Sequence, residues 1–291
     1  MLWLKEIRAD FLVLSVVLVM IGGAAARRDG AFHPVIFVAT LVGVVLAHIS
    51  VNLFNEYSDW KTGIDARTTK TPFSGGSGNL PAGLVSPAMV KRAAWLSLLA
   101  AGASGLWLTW RAGWPVLVLM GIGGLVTVCY SDVLVKWMLG ELASGIALGS
   151  FVVAGSYFVQ TGAFTTGIVW ASIPPGLLTL LLLFLNEFPD AEADRFGGRR
   201  HLVIVLGKRP AGIVYAVMLV AVFLVILLGV VLGGLPAALL VSFLTFPLAI
   251  YTAVRVVRSG DEIQKLLPAL GMNVAIVLAT DFLMAVGLLI G

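Results

Sequence analysis

The stretch LLTLLLLFLNEFPDAEAD, Leu177 to Asp194, is a hydrophobic run that breaks into four acids within eight residues. Such a junction marks the end of a membrane-spanning helix, where hydrocarbon gives way to water. A second junction lies upstream in NEYSD, Asn55 to Asp59, and it also follows a long apolar segment. Asn55 and Asp59 repeat the spacing of Asn186 and Asp190. The two stretches are expected to face each other at one mouth of a membrane-embedded pocket.

Composition agrees with a mostly intramembrane chain. Of 291 residues, 59% are hydrophobic and 12% charged, and the mean hydropathy is +1.03, which excludes an ordinary soluble domain. Nine apolar runs are long enough to span about 30 Å of hydrocarbon. They cover residues 11–26, 34–54, 93–109, 114–130, 137–160, 167–187, 211–232, 235–254 and 266–290. The expected fold is an all-α integral membrane bundle of nine transmembrane helices around a central pocket, formed by one domain over residues 1–291. A weak internal duplication relates helices 1–4 to helices 5–8, with a ninth helix appended.

Basic residues set the orientation, because they accumulate on the cytoplasmic side. With the N-terminus and the even-numbered connections on one side, only Arg27, Arg28 and Arg111 of the nineteen lysines and arginines fall on the other. This predicts a cytoplasmic N-terminus, an outer C-terminus, a prokaryotic inner or plasma membrane location, and an active site open to the cytoplasm. The net charge of +4 follows from that loop bias, so no nucleic-acid partner is expected. Run 11–26 superficially resembles a secretory signal, but Arg27 and Arg28 follow it at once and it is expected to remain as a helix. The single cysteine, Cys129, excludes an intramolecular disulfide and a cysteine-based metal site.

Residues four apart stack on one helix face, so Asn55 and Asp59 form a ledge, and Asn186, Asp190 and Asp194 form another. His48 and Asn52 extend the first stripe inward, whereas Glu192 points away from the second. Carboxylates along one face repel unless a cation sits among them. Mg²⁺ favours one or two carboxylates, water and phosphate oxygens, so each ledge is expected to hold one ion, two in all, bridging to a shared diphosphate. Gly63 permits a turn that returns Asp65 to the site. Lys61, Arg67 and Lys70 follow the first ledge; Arg199 and Arg200 follow the second; Lys136 stands at the same side. These six are candidate diphosphate ligands. The glycine-rich FSGGSGNLPAG, from Phe73, supplies further amides.

These residues resemble the UbiA superfamily of intramembrane prenyltransferases, and most nearly its 1,4-dihydroxy-2-naphthoate polyprenyltransferases of menaquinone synthesis. NEYSDWKTGID, GGSGNLPAGLVSP, LGEL, GSYFVQTG and NEFPDAEADRFGGRRHLVIVLGKR carry the resemblance, which extends from about residue 8 to residue 210. Glu56 stands where that branch usually has Asp, and Gly198–His201, GRRH, where it has Gly-Lys-Arg-Thr. The resemblance implies nine helices and aspartate-rich motifs on the second and sixth. It also implies Mg²⁺-dependent transfer of an isoprenyl chain from a polyprenyl diphosphate to an aromatic acceptor, with loss of carbon dioxide when the acceptor is the naphthoate.

Asp59 and Asp190 are the expected catalytic pair. Shielding of the allylic cation, or the acceptor pocket, would fall to His48, Asn52, Phe54, Tyr57, Tyr130 and Tyr157, and the prenyl tail would run among apolar helices or into lipid. The alternatives are another acceptor, terpene cyclisation on the same scaffold, or an ion-coupled transporter. Asp281, deep in the last run, is the one acid whose position suits transport.

Overall fold

The computed structural model describes the whole chain except residues 1, 69–70, 72–74, 233 and 260. All the described secondary structure is helical. A short α1 (Leu2–Glu6) precedes a 3₁₀ turn and α2 (Val13–Arg28). Next come α3 (Pro34–Thr62), α4 (Pro87–Ala112) and α5 (Pro115–Cys129). The following membrane segment is composite: α6 (Gly140–Ala143), a wider π-type stretch (Ser144–Ser150) and α7 (Phe151–Thr161). Then follow α8 (Thr166–Phe196), α9 (Leu202–Leu206) and α10 (Lys208–Val231). A 3₁₀ segment leads into α11 (Phe246–Ser259), and α12 (Ile263–Ile290) closes the bundle.

Among the described residues, eight helical segments are long and apolar enough to cross a membrane. The chain is an integral membrane protein. The run expected at 114–130 is helical, but α5 has only 15 residues, about 22 Å at 1.5 Å per residue.

Local sequence explains the boundaries. Proline opens α3, α4 and α5, where its missing amide costs nothing. The Thr165 hydroxyl accepts from the Ile168 amide at 3.2 Å and caps α8. Gly63, at φ +77°, ends α3 in a conformation that other residues adopt only under strain. Pro174, Pro175 and Pro189 lie inside α8 without ending it; packed neighbours make such breaks in the hydrogen-bond ladder tolerable in a bundle.

Burial grades from the middle outward. α8 is the central post, with 72% of its most apolar window buried, against 11% for α4. Leu96, Leu99, Leu106 and Trp110 of α4 are exposed, as suits a lipid-facing helix. In lipid, tight association depends on close backbone approach rather than on water exclusion. A Cβ on Gly149 would stand 2.6 Å from the Gly176 Cα, so the π-type stretch meets α8 backbone to backbone. Polar links complete the post. The Tyr215 hydroxyl donates to Asn273 Oδ1 at 2.9 Å, and Asn273 Nδ2 donates to the Leu181 carbonyl at 3.1 Å, joining α10, α12 and α8. Asp281 of α12 is fully buried, and neither carboxyl oxygen accepts a hydrogen bond.

Candidate active site

The acidic ends of α3 and α8 open onto one cavity of about 560 Å³. Asn55, Asp59, Asp65, Asn186, Asp190 and Asp194 all line it. Away from them the walls are apolar, with Val44, Val51, Leu119, Leu148, Phe151 and Leu182 among the lining residues. A polar mouth on an apolar chamber suits an amphiphile with a charged head and a hydrocarbon tail.

On α3, Asn55 Nδ2 donates to Asp59 Oδ2 at 3.3 Å, as the i, i+4 spacing requires. After the Gly63 turn, the Asp65 amide meets the Asp59 carbonyl at 3.4 Å, and the Asp65 side chain is buried at the cavity. On α8, Asp194 is buried while Glu192 is exposed.

Arg199 physically joins the two ledges. Its guanidinium is hydrogen-bonded to Asp59, to Asp194 at 3.0 Å and to Asn55 Oδ1 at 3.1 Å. The Ser131 hydroxyl also donates to Asn55 Oδ1, at 3.2 Å. Burial works against the arginine charge, but Asp59 and Asp194 outweigh it and hold the Arg199 pKa above its ordinary value.

The glycine-rich loop closes over the first ledge. Gly75 and Gly76 line the cavity; a Cβ on Gly76, at φ +64°, would stand 2.7 Å from Asp65 Oδ1. The loop is anchored by groups outside the expected site. The Ser77 amide donates to Glu56 at 3.0 Å, and Glu56, fully buried, also binds Arg8 at 2.9 Å. The Ser77 hydroxyl donates to Glu6 at 2.7 Å, and the Asn79 amide group to the Leu2 carbonyl at 3.4 Å. Burial raises the Glu6 pKa. The N-terminal segment therefore straps the loop to α3. An acid beside Asn55, with Arg8 upstream, was the available sequence signal for it.

Other expected residues lie apart from the cavity. Lys61, Arg67, Lys136 and Arg200 are exposed and outside its walls. Arg67 lies over the Phe196 ring at 3.5 Å, and the Arg200 amide donates to the Val135 carbonyl at 2.9 Å. Lys70 and Phe73 lie outside the described residues. Of the four expected aromatics, Phe54, Tyr57, Tyr130 and Tyr157, Tyr130 alone reaches the cavity. Phe54 packs edge-on against Trp95 at 5.2 Å, and Tyr57 lies under Lys91 at 5.1 Å. At about 100° per residue these positions leave the stripe that carries Asn55 and Asp59. Tyr157 donates to Asp29 at 2.5 Å and lines a separate pocket that includes Arg28 and Thr165, so it is not at the acidic mouth.

His48 and Asn52 do line the cavity. His48 Nδ1 is paired with the Ser15 hydroxyl at 2.8 Å, and Asn52 Nδ2 donates to the Ile7 carbonyl at 2.9 Å. Behind the second ledge lies a group outside the expected site: Glu141, Glu187 and His201 place potential metal-ligating atoms within 4.8 Å of one another. The Leu202 amide donates to Glu141 Oε1 at 2.8 Å. The histidine in GRRH was its sequence signal.

The pattern of the UbiA prenyltransferase family matches residues 15–275. The chain is similar to the 1,4-dihydroxy-2-naphthoate octaprenyltransferase of Bacillus subtilis, 29% identical over 97% of this chain and 90% of that one. Among solved structures it is similar in fold to the apo UbiA homolog of Aeropyrum pernix K1, with TM-score 0.70, 20% identity and coverage of 97% and 98% of the two chains. It is also similar to a UbiA homolog of Archaeoglobus fulgidus bound to DMAPP and Mg²⁺, with TM-score 0.60, 13% identity and coverage of 98% and 100%. The helical membrane bundle, the acidic ends that share one chamber and the family pattern across 15–275 converge: the chain belongs to the UbiA prenyltransferase family and is an intramembrane prenyltransferase.

Proposed function

We propose that the protein transfers the isoprenyl chain of a polyprenyl diphosphate to 1,4-dihydroxy-2-naphthoate. The observation that carries this reading is the single cavity with both Asn-x-x-x-Asp ledges at its mouth and apolar side chains beyond. The acceptor is supported by similarity to the Bacillus subtilis enzyme.

The ledges offer amide and carboxylate oxygens, the donor set that Mg²⁺ prefers. Mg²⁺ is bound by the Archaeoglobus fulgidus homolog, together with DMAPP. Here Asn55, Asp59 and Asp65 would hold one ion, and Asn186, Asp190 and Asp194 a second. When bound, Mg²⁺ supplies Lewis-acid stabilisation of the charge on a leaving diphosphate. Arg199 supplies a fixed positive fork between the ledges, suited to phosphate oxygens once it turns from Asp59. The glycine loop, held by Glu56, covers the headgroup. The apolar wall takes the prenyl tail and keeps water from the allylic carbon. Tyr130 presents a π face to the same space, and His48, fixed through Nδ1 by Ser15, faces the chamber two turns below Asn55.

The same reading takes α5 as the ninth span of a single domain and puts the ledges on the cytoplasmic side of a prokaryotic inner membrane, in line with the basic residues of the loops. Internal duplication accounts for ledges at corresponding helix ends.

The test is product analysis. Purified protein is incubated with Mg²⁺, prenyl diphosphates of graded length, and dihydroxynaphthoate, hydroxybenzoate or homogentisate in turn. A prenylated, decarboxylated naphthol is expected. Product only with another acceptor, or diphosphate release with a cyclic hydrocarbon and no acceptor, would replace the substrate assignment. No diphosphate release under any condition would overturn the reaction.

A further inference from the structure

We propose that Glu141, Glu187 and His201 form a further cation site behind the second ledge, one that takes a divalent transition metal such as Mn²⁺ or Zn²⁺ through imidazole nitrogen and carboxylate oxygen. The three come from separate places: the start of α6, the end of α8 and the residue before α9. Their donor atoms nevertheless lie within 4.8 Å of one another, and all three residues are buried.

Two features point to a ligand. First, the nearby guanidinium groups are engaged elsewhere. Arg8 is committed to Glu56, and Arg199 to Asp59 and Asp194. Among the described residues no lysine or arginine forms an ion pair with Glu141 or Glu187. Two buried carboxyls beside Asp194 need positive charge or protons. Second, His201 is 3% exposed, yet neither ring nitrogen makes a hydrogen bond. Nδ1 stands 3.5 Å from Glu187 Oε2 and Nε2 3.3 Å from Asp194 Oδ2. Glu187 Oε2 is buried and lacks a hydrogen bond too. An imidazole left this way is costly, and a metal bond to one nitrogen relieves the cost.

The donors select the ion class. Mg²⁺ favours oxygen alone, whereas imidazole with carboxylate suits Mn²⁺, Zn²⁺ or Fe²⁺. Bonds of about 2.0–2.2 Å require the donors to draw in by about 1 Å. Glu141 is already oriented by the Leu202 amide, the kind of outer contact that fixes a ligand. Glu187 and His201 line the cavity, which gives an entry path. An ion here would neutralise Glu187 beside Asp194 and pin the 197–202 loop that carries Arg199.

Pulsed EPR tests this without any turnover. Tag-free protein is stripped with chelator and given less than one equivalent of Mn²⁺ in excess Mg²⁺. The ledges offer only oxygen, so ¹⁴N modulation from a directly bound imidazole reports this site. Wild-type protein and Asp59→Ala should both show it, as should His48→Gln. His201→Gln should lose it, and Glu141→Gln should weaken Mn²⁺ retention at least about tenfold. Absence of ¹⁴N modulation in the wild type overturns the site whether or not any variant folds, as does its persistence in His201→Gln. Modulation without prenyl transfer would sink the proposed reaction and leave this site standing.

Discussion

The acidic end of α3 and that of α8 share the Asn-x-x-x-Asp spacing, yet different parts of the chain support them. On α3 the support is remote: Arg8, Glu56 and Glu6 fasten the glycine loop through Ser77. On α8 it is largely local, because the chain turns back at Gly197–Gly198 and presents Arg199 and His201 to Asp194. Helix periodicity fixes the donors on each ledge, whereas the neighbouring cations and loops are matters of tertiary structure. If the ledges serve one headgroup, damage to either should cost the same function, and damage to either support should cost different things.

The largest effect is expected from the ledges themselves. Asp59→Ala and Asp190→Ala should each lower turnover by at least about 10²-fold while the purified protein keeps its elution profile. Chelation should do the same and Mg²⁺ should reverse it. Prenyl transfer assays on the two variants check the symmetry: substantial activity in one alone would show that only one ledge meets the diphosphate.

Arg199→Met comes next. It leaves Asp59 and Asp194 buried without their guanidinium, and loss of one partner from such a group costs about 3–5 kcal/mol. In chelator the melting temperature should fall, and Mg²⁺ should restore more of it than it adds to the wild type. Thermal unfolding with and without Mg²⁺ measures this, and equal metal responses would mean that no ion replaces the arginine charge. Glu56→Gln should be milder, about 1–3 kcal/mol, with KM for the diphosphate rising more than kcat falls. A lower melting temperature with unchanged KM would separate the loop from the headgroup.

Much of this was legible in the sequence because it depends on short-range periodicity. Long apolar runs, the i, i+4 ledges and the Gly63 turn require only a helix and its end. Long-range contacts were not legible. Nothing local distinguishes Arg199, which reaches both ledges, from Arg67, which lies on Phe196, since both follow an acidic stretch. Tyr157 and Tyr130 both fall within apolar runs, yet one lies at Asp29 and the other at the cavity. The π-type stretch 144–150 left no mark except the glycines that let it meet Gly176.

Asp281 extends the contrast between the ledges and sets its smallest effect. It is an acid in a membrane helix like those of the ledges, but it lines neither described pocket. The ledge acids have an amide, a guanidinium or the cavity beside them; Asp281 is fully buried and makes no hydrogen bond. Leucine branches at the same carbon and brings no polar atom, so Asp281→Leu should stabilise the bundle by about 1–3 kcal/mol and leave prenyl transfer unchanged. Asparagine should gain little, because its amide would be buried just as unsatisfied. Thermal unfolding of the two variants measures the difference. A leucine variant less stable than the wild type would mean that the carboxyl has a polar partner in the membrane, and an inactive but stable one would give this acid a part in turnover.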